Sequence, residues 1–125
     1  MLILDNHFRT MENQVGLNLL MMEGTKMQFV TEPHRISAID DNGKWVGDIS
    51  FPPVAGYPDR VVAERVFVAP EGRGHGLAAE LTKRFVDYAH ERHLTVKLMC
   101  PYVKAAFRDH PEYQDLLLPE DRFNQ

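Results

Sequence analysis

The chain is poor in several things, and each scarcity removes a class of protein. It carries one cysteine, Cys100, in 125 residues; no internal disulfide can form, and a reduced, cytoplasmic setting is expected. No apolar run approaches the ~20 residues of a membrane-spanning helix. The opening Met1–Leu4 run meets Asp5 at once, too short an apolar stretch for a secretory leader. Basic residues are outnumbered, 14 Lys and Arg against 18 Asp and Glu for a net charge of −4, and they are scattered. A nucleic-acid binder ordinarily carries a basic stripe that releases counterions from phosphates, so no such partner is expected. Repeats, low-complexity tracts and an H-E-x-x-H spacing are all missing. His90 and His93 read as a solvated pair at a helix end, and no metal site is expected.

What is present is ordinary for a soluble domain: 44% apolar and 26% charged residues, in a length that suits one core. That domain is expected to run from residue 25 to 125. Residues 1–24 show weak periodicity, with "VGLNLLMMEG" their only apolar cluster. Three readings of this front stay open: a short helix, a partner-contacting arm, or an extension from an upstream start.

Along the domain, Met27–Val30 reads as a short strand interrupted by Pro33. Arg35–Ile39 and Trp45–Phe51 flank Asn42-Gly43, the strongest short-range signal for an antiparallel hairpin, with Trp45 covering the sheet. "PPVAGYPDR", Pro52–Arg60, holds three prolines and a glycine and reads as a loop. "VVAERVFV", Val61–Val68, is rich in β-branched residues and reads as a central strand covered on both faces. Leu77, Leu81, Phe85 and Ala89 recur every four residues, an amphipathic helix reaching about Arg92, with Glu80 and Arg84 as a favourable i,i+4 pair. Leu94–Cys100 reads as the next strand, stopped by Pro101. Strand, helix, strand in that order implies parallel pairing through a right-handed crossover. Val103–His110 suits a short last helix, followed by a closing segment in which His110-Pro111 shapes a turn.

The stretch "VAPEGRGHGLAAEL", Val68–Leu81, sets three glycines within five residues between strand and helix. The first N–H groups of a helix lack internal partners, the helix dipole adds partial positive charge, and glycines let a phosphate approach the backbone. A diphosphate fits such a junction. A tight turn with no ligand would use the same residues. The spacing is not G-x-x-x-x-G-K-[ST], which excludes a P-loop, and a dinucleotide fingerprint would normally open its domain instead of following a hairpin.

"ERVFVAPEGRGHGLAAEL" resembles the acyl-CoA-binding motif of the GNAT superfamily of N-acetyltransferases, Q/R-x-x-G-x-G/A after a strand ending V-x-P. Arg73, Gly74, His75, Gly76, Leu77 and Ala78 fill the motif, behind Val68, Ala69 and Pro70. The resemblance spans about Met27 to Leu118. "LMCPYVKAAFRDHPEYQDLL" is similar to a branch of very small, single-domain GNAT proteins in which a strand ends Cys-Pro-Phe/Tyr and His-Pro-Glu-Tyr follows; Cys100, Pro101 and Tyr102, then His110 to Tyr113, match it.

The resemblance implies an α/β fold of the α+β type: a mixed, mostly antiparallel sheet around a central β-α-β acyl-CoA-binding unit. It implies acetyl-CoA as cosubstrate and an amine acceptor, either a small molecule or an exposed protein amine. The backbone of Val66, Phe67 and Val68 would pair with the pantetheine arm, and the amides of Arg73, Gly74, His75, Gly76, Leu77 and Ala78 would hold the diphosphate. Amine acetylation needs a base, a polarised thioester and an acid for the thiolate. Glu64 is the expected base, although a carboxylate there also suits a pairing with Arg65 or Arg60. Many GNAT enzymes carry a tyrosine where the alignment here places Phe107, which cannot donate a proton; Tyr102 and Cys100 are the remaining candidates. In the small branch the cysteine is suspected of accepting the acetyl group, which thiolate chemistry permits; a buried cysteine is also a small hydrophobe. Phe107 equally suits a non-catalytic acyl-CoA-binding or interaction module. A small sheet with an exposed edge makes a homodimer plausible.

Overall fold

The structure is a computed structural model and describes residues 17–22 and 25–123. Its first four strands form a meander: β1 (Leu17–Met22), β2 (Thr25–Glu32), β3 (Arg35–Asp40) and β4 (Trp45–Ser50), each antiparallel to the next. β1 falls inside the front segment whose reading was left open, and it pairs with β2 along its whole length. The β3–β4 hairpin forms about Asn42-Gly43 as expected. Asp40 fixes it: its Oδ1 accepts from the N–H of Asn42 and of Lys44, both at 2.9 Å, an aspartate side chain closing its own turn.

Pro52–Arg60 is not the loop that its prolines suggested. Two strands, β5 (Pro53–Val54) and β6 (Tyr57–Ala63), form a small hairpin there. Proline is tolerated because Pro58 lies beyond the stretch of β6 that pairs with its other neighbour, so no ladder hydrogen bond needs its missing N–H.

The expected single strand over Val61–Val68 is also corrected. It breaks at Glu64, giving β6 up to Ala63 and β7 (Arg65–Val68) after it. The two halves join different sheets: β7 continues β1-β2-β3-β4, while β6 lies between β5 and the later strand β8 (Thr95–Leu98). Nor is the run covered on both faces. Val61 and Ala63 are buried, but Arg65 and Phe67 are exposed.

Between β7 and β8 runs α1 (Leu77–Glu91), whose Leu77, Leu81, Phe85, Val86 and Ala89 are buried against the sheet. Phe51, just after β4, packs on α1 with its ring tilted against those of Phe85 at 4.7 Å and Tyr88 at 5.2 Å. β8 pairs with β6 in parallel, Arg60 to Thr95 through Ala63 to Leu98. The strand–helix–strand unit therefore forms, with its parallel contact carried by β6. α2 (Pro101–Asp109) follows and adds Val103 and Phe107 to the same core. Two 3-10 turns, Pro111–Leu116 and Pro119–Asp121, close the chain over it.

Candidate active site

The site lies where the sheet splits. β6 and β8 stay together up to Ala63, whose carbonyl accepts from both Met99 N–H (3.2 Å) and Cys100 N–H (3.0 Å). Past that point β7 follows β4, from Arg65–Ser50 to Val68–Gly47, and β8 turns into α2. β7 ends the strand order of its sheet, so among the described residues no strand pairs with its other side. An extended ligand has an unused ladder there. Val66, Phe67 and Val68, the residues expected to meet the pantetheine arm, all lie on it.

The glycine-rich junction follows β7. A 3-10 turn, Pro70–Gly72, leads into Arg73, whose Nε donates to the Val68 carbonyl at 3.0 Å and folds the turn back onto the strand. Gly74 and Gly76 have φ of +86° and +71°, a left-handed conformation that costs a side chain-bearing residue about 1–2 kcal/mol. A Cβ at either position would meet nothing within 4 Å, so it is the backbone that calls for glycine there, not crowding. Gly76 caps α1 with no side-chain acceptor. Among the described residues, the N–H groups of Gly74, Gly76, Leu77 and Ala78 donate to no backbone carbonyl; the first bond is Glu80 N–H to Gly76 O at 3.1 Å. Free donors, dipole and open space coincide, and a diphosphate fits them. The adjoining groove, about 190 Å³, is lined by Val68, Arg73, Gly74, Leu77, Ala78 and Tyr102 among others. A second groove of about 260 Å³ continues it between α1 and α2, sharing Gly76, Ala79 and Tyr102 and reaching His110 and Tyr113.

The catalytic candidates gather round the split without touching one another. Glu64 sits at the break between β6 and β7, exposed, with its Oε1 accepting from Ser50 Oγ at 3.2 Å. Its expected rival partner Arg65 is taken elsewhere, donating to both carboxylate oxygens of Asp48 at 3.0 and 3.3 Å. Arg60 pairs with Asp121. Cys100 is the buried residue that caps α2. Tyr102, in the first turn of α2, is 43% exposed over the groove. Burial pushes its phenol above the ordinary range, and Cys100 adds to the effect; the hydroxyl keeps its proton at neutral pH and remains a donor. Phe107 is completely buried, edge-on to Tyr113 at 5.4 Å.

Two groups were assigned no role in the site by the sequence reading, although Tyr113 was part of a matched motif. Asp48 is a carboxylate only 3% exposed and lies beside Arg65, with Arg35 at 4.0 Å; the signal was an acidic residue between apolar neighbours in "WVGDIS". Tyr113 stacks on His110 at 4.7 Å and walls the second groove. Burial raises its phenol too, with Glu112 as a further cause. Trp45 does cover sheet surface: it is stacked on Phe67 at 5.5 Å with the rings 4° from parallel.

By fold, the molecule is similar to solved structures described as N-acetyltransferases. A GCN5-like putative N-acetyltransferase from Staphylococcus aureus matches with a TM-score of 0.58 at 20% identity, over 78% of this chain and 90% of that one. The GNAT family N-acetyltransferase YhbS from Escherichia coli, crystallised in complex with CoA, matches with a TM-score of 0.51 at 28% identity, over 58% of this chain and 43% of that one. The sequence carries the assignment to family level: the model of the GCN5-related N-acetyltransferases matches residues 35–116, and the chain belongs to that family. No curated protein matches it.

Proposed function

We propose that the protein is an acetyl-CoA-dependent N-acetyltransferase acting on an amine, with the coenzyme held by the α1 junction. The carrying observation is the row of N–H groups at Gly74, Gly76, Leu77 and Ala78 that donate to no backbone carbonyl, beside a strand edge with no paired strand, both among the described residues. YhbS, which shares the fold, was crystallised with CoA, in keeping with this reading. The diphosphate would lie on the amides from Arg73 to Ala78, His75 included through its backbone, and the pantetheine along Val66–Val68. The thioester would then lie in the split between β7 and Cys100.

In the transfer step the amine nitrogen attacks the thioester carbonyl carbon, the C–S bond breaks, and the amine loses a proton. Glu64 takes that proton directly or through water, its carboxylate oriented by Ser50. Tyr102, held protonated by burial, gives its proton to the departing sulfur. Cys100 supports a second route because it stands at the same strand end: its sulfur would take the acetyl group as a thioester, releasing CoA thiol, and then pass it to the amine.

Incubation with acetyl-CoA and an amine panel, read by intact mass, tests this. Acetylated amine with unmodified protein supports the direct route. An acetyl adduct that disappears in Cys100→Ala supports the two-step route. Binding of CoA with no transfer to any amine contradicts the catalytic reading.

A further inference from the structure

The largest cavity among those described, about 510 Å³, shares no residue with the two grooves at α1. It lies against the other flank of the Cys100 junction. Arg60 and Lys97 come from the parallel pair β6–β8, two positions from neighbours in register, on the face opposite the buried Val61, Ala63 and Val96. Lys104 comes from α2, and its N–H donates to the Cys100 carbonyl at 2.9 Å. Leu98, Leu118 and Phe123 add apolar wall, and two carboxylates, Glu120 and Asp121, line it against the three cations.

The charges are incompletely matched. Arg60 donates from Nη2 to Asp121 at 3.1 Å, and that pair accounts for the last 3-10 turn being fastened to the sheet. It does not account for the rest. The Arg60 Nε is buried with no acceptor, and among the described residues neither Lys97 nor Lys104 has a carboxylate within the 4.0 Å of an ion pair. A buried donor without a partner calls for an explanation, and an anion or water is the usual one. Three cations converging from three elements on a cavity of small-molecule size favour an anion.

We infer that this cavity binds the phosphate group of a small phosphorylated molecule, with Lys97 and Lys104 as its principal contacts and Arg60 fixing the wall. Resting on the acetyl-transfer reading, its occupant is an acceptor amine that also carries a phosphate.

The test titrates O-phosphoethanolamine into ¹⁵N-labelled protein, alone and with saturating CoA. Amide shifts at Lys97, Leu98 and Lys104 are expected in both conditions, with ethanolamine giving none. The double variant K97A/K104A, whose lost side chains are exposed, should bind about tenfold more weakly or worse while keeping its CoA affinity. Shifts confined to Gly74–Ala78, or equal binding by the double variant, overturn the inference and leave the coenzyme reading intact. Phosphoethanolamine shifts at Lys97 and Lys104 in a protein that ignores CoA would do the reverse.

Discussion

The protein turns from strand to helix at two places that face each other across the split sheet, and it builds them from opposite materials. From β7 to α1 the chain uses glycines and a run of N–H groups that, among the described residues, have no carbonyl partners. From β8 to α2 it uses Cys100-Pro101: the N–H groups of Met99 and Cys100 are both spent on Ala63, and Pro101 at the first helical position has no N–H at all. The first junction offers backbone and little else, which suits a polyanion. The second offers side chains, Cys100 and Tyr102, and a shorter open stretch of backbone, with Tyr102 and Val103 N–H ahead of the first bond, Lys104 N–H to Cys100 O, among the described residues, which suits chemistry at a fixed point.

Both junctions depend on the anchors beneath them, and removing these should have the largest effect. Phe85→Ala under α1 and Phe107→Ala under α2 each empty a fully buried site and should cost about 3–5 kcal/mol in urea unfolding. A much smaller loss at either would mean that its helix is not held as described. Next comes Glu64→Gln, which should lower the transfer rate about 10²-fold or more while CoA affinity, read by calorimetry, stays put. The backbone junction is challenged by Gly74→Val and Gly76→Val: each forces a left-handed φ on a branched residue at about 1–2 kcal/mol and should weaken CoA about tenfold. Pro101→Ala probes the opposite junction. It frees the unfolded chain by about 0.4–1 kcal/mol and should leave CoA binding unaltered, so a loss of affinity there equal to that of the glycine variants would erase the contrast.

The smallest effect is one of pH. Tyr102 and Tyr113 both have phenols raised above the ordinary value of 10.0, chiefly by burial. A group raised on folding contributes stability that is fully present below its unfolded value and lost as pH climbs through the folded one. Thermal stability should therefore fall at strongly alkaline pH, and Y102F/Y113F should flatten that limb without changing the neutral plateau. An unchanged limb would show that their surroundings do not raise the two phenols.

Much of this was legible in the residues. The Asn42-Gly43 turn and the four-residue recurrence from Leu77 to Ala89 are local signals, and local signals sufficed for the hairpin and α1. The glycine junction was legible because its φ values demand glycine. The break at Glu64 was not, since β-branched residues continue on both sides; it is made by a change of partners, with Val62 N–H bonded to the Pro52 carbonyl and Glu64 N–H to that of Ser50. Pro53 and Pro58 misled for a related reason: whether proline breaks a strand depends on which side carries the ladder. Glu64's choice of Ser50 over Arg65, 14 positions apart, and the convergence of Arg60 with Lys104, 44 positions apart, join residues that no local pattern links.

The central claim is that the open backbone at the start of α1 grips the diphosphate of CoA. Amide ¹H–¹⁵N shifts on addition of CoA test it most directly. The account predicts saturable downfield movement of Gly74, Gly76, Leu77 and Ala78, with the midpoint at Gly74, Leu77 and Ala78 raised about tenfold in Gly76→Val. Saturable binding that leaves those four resonances in place would contradict it.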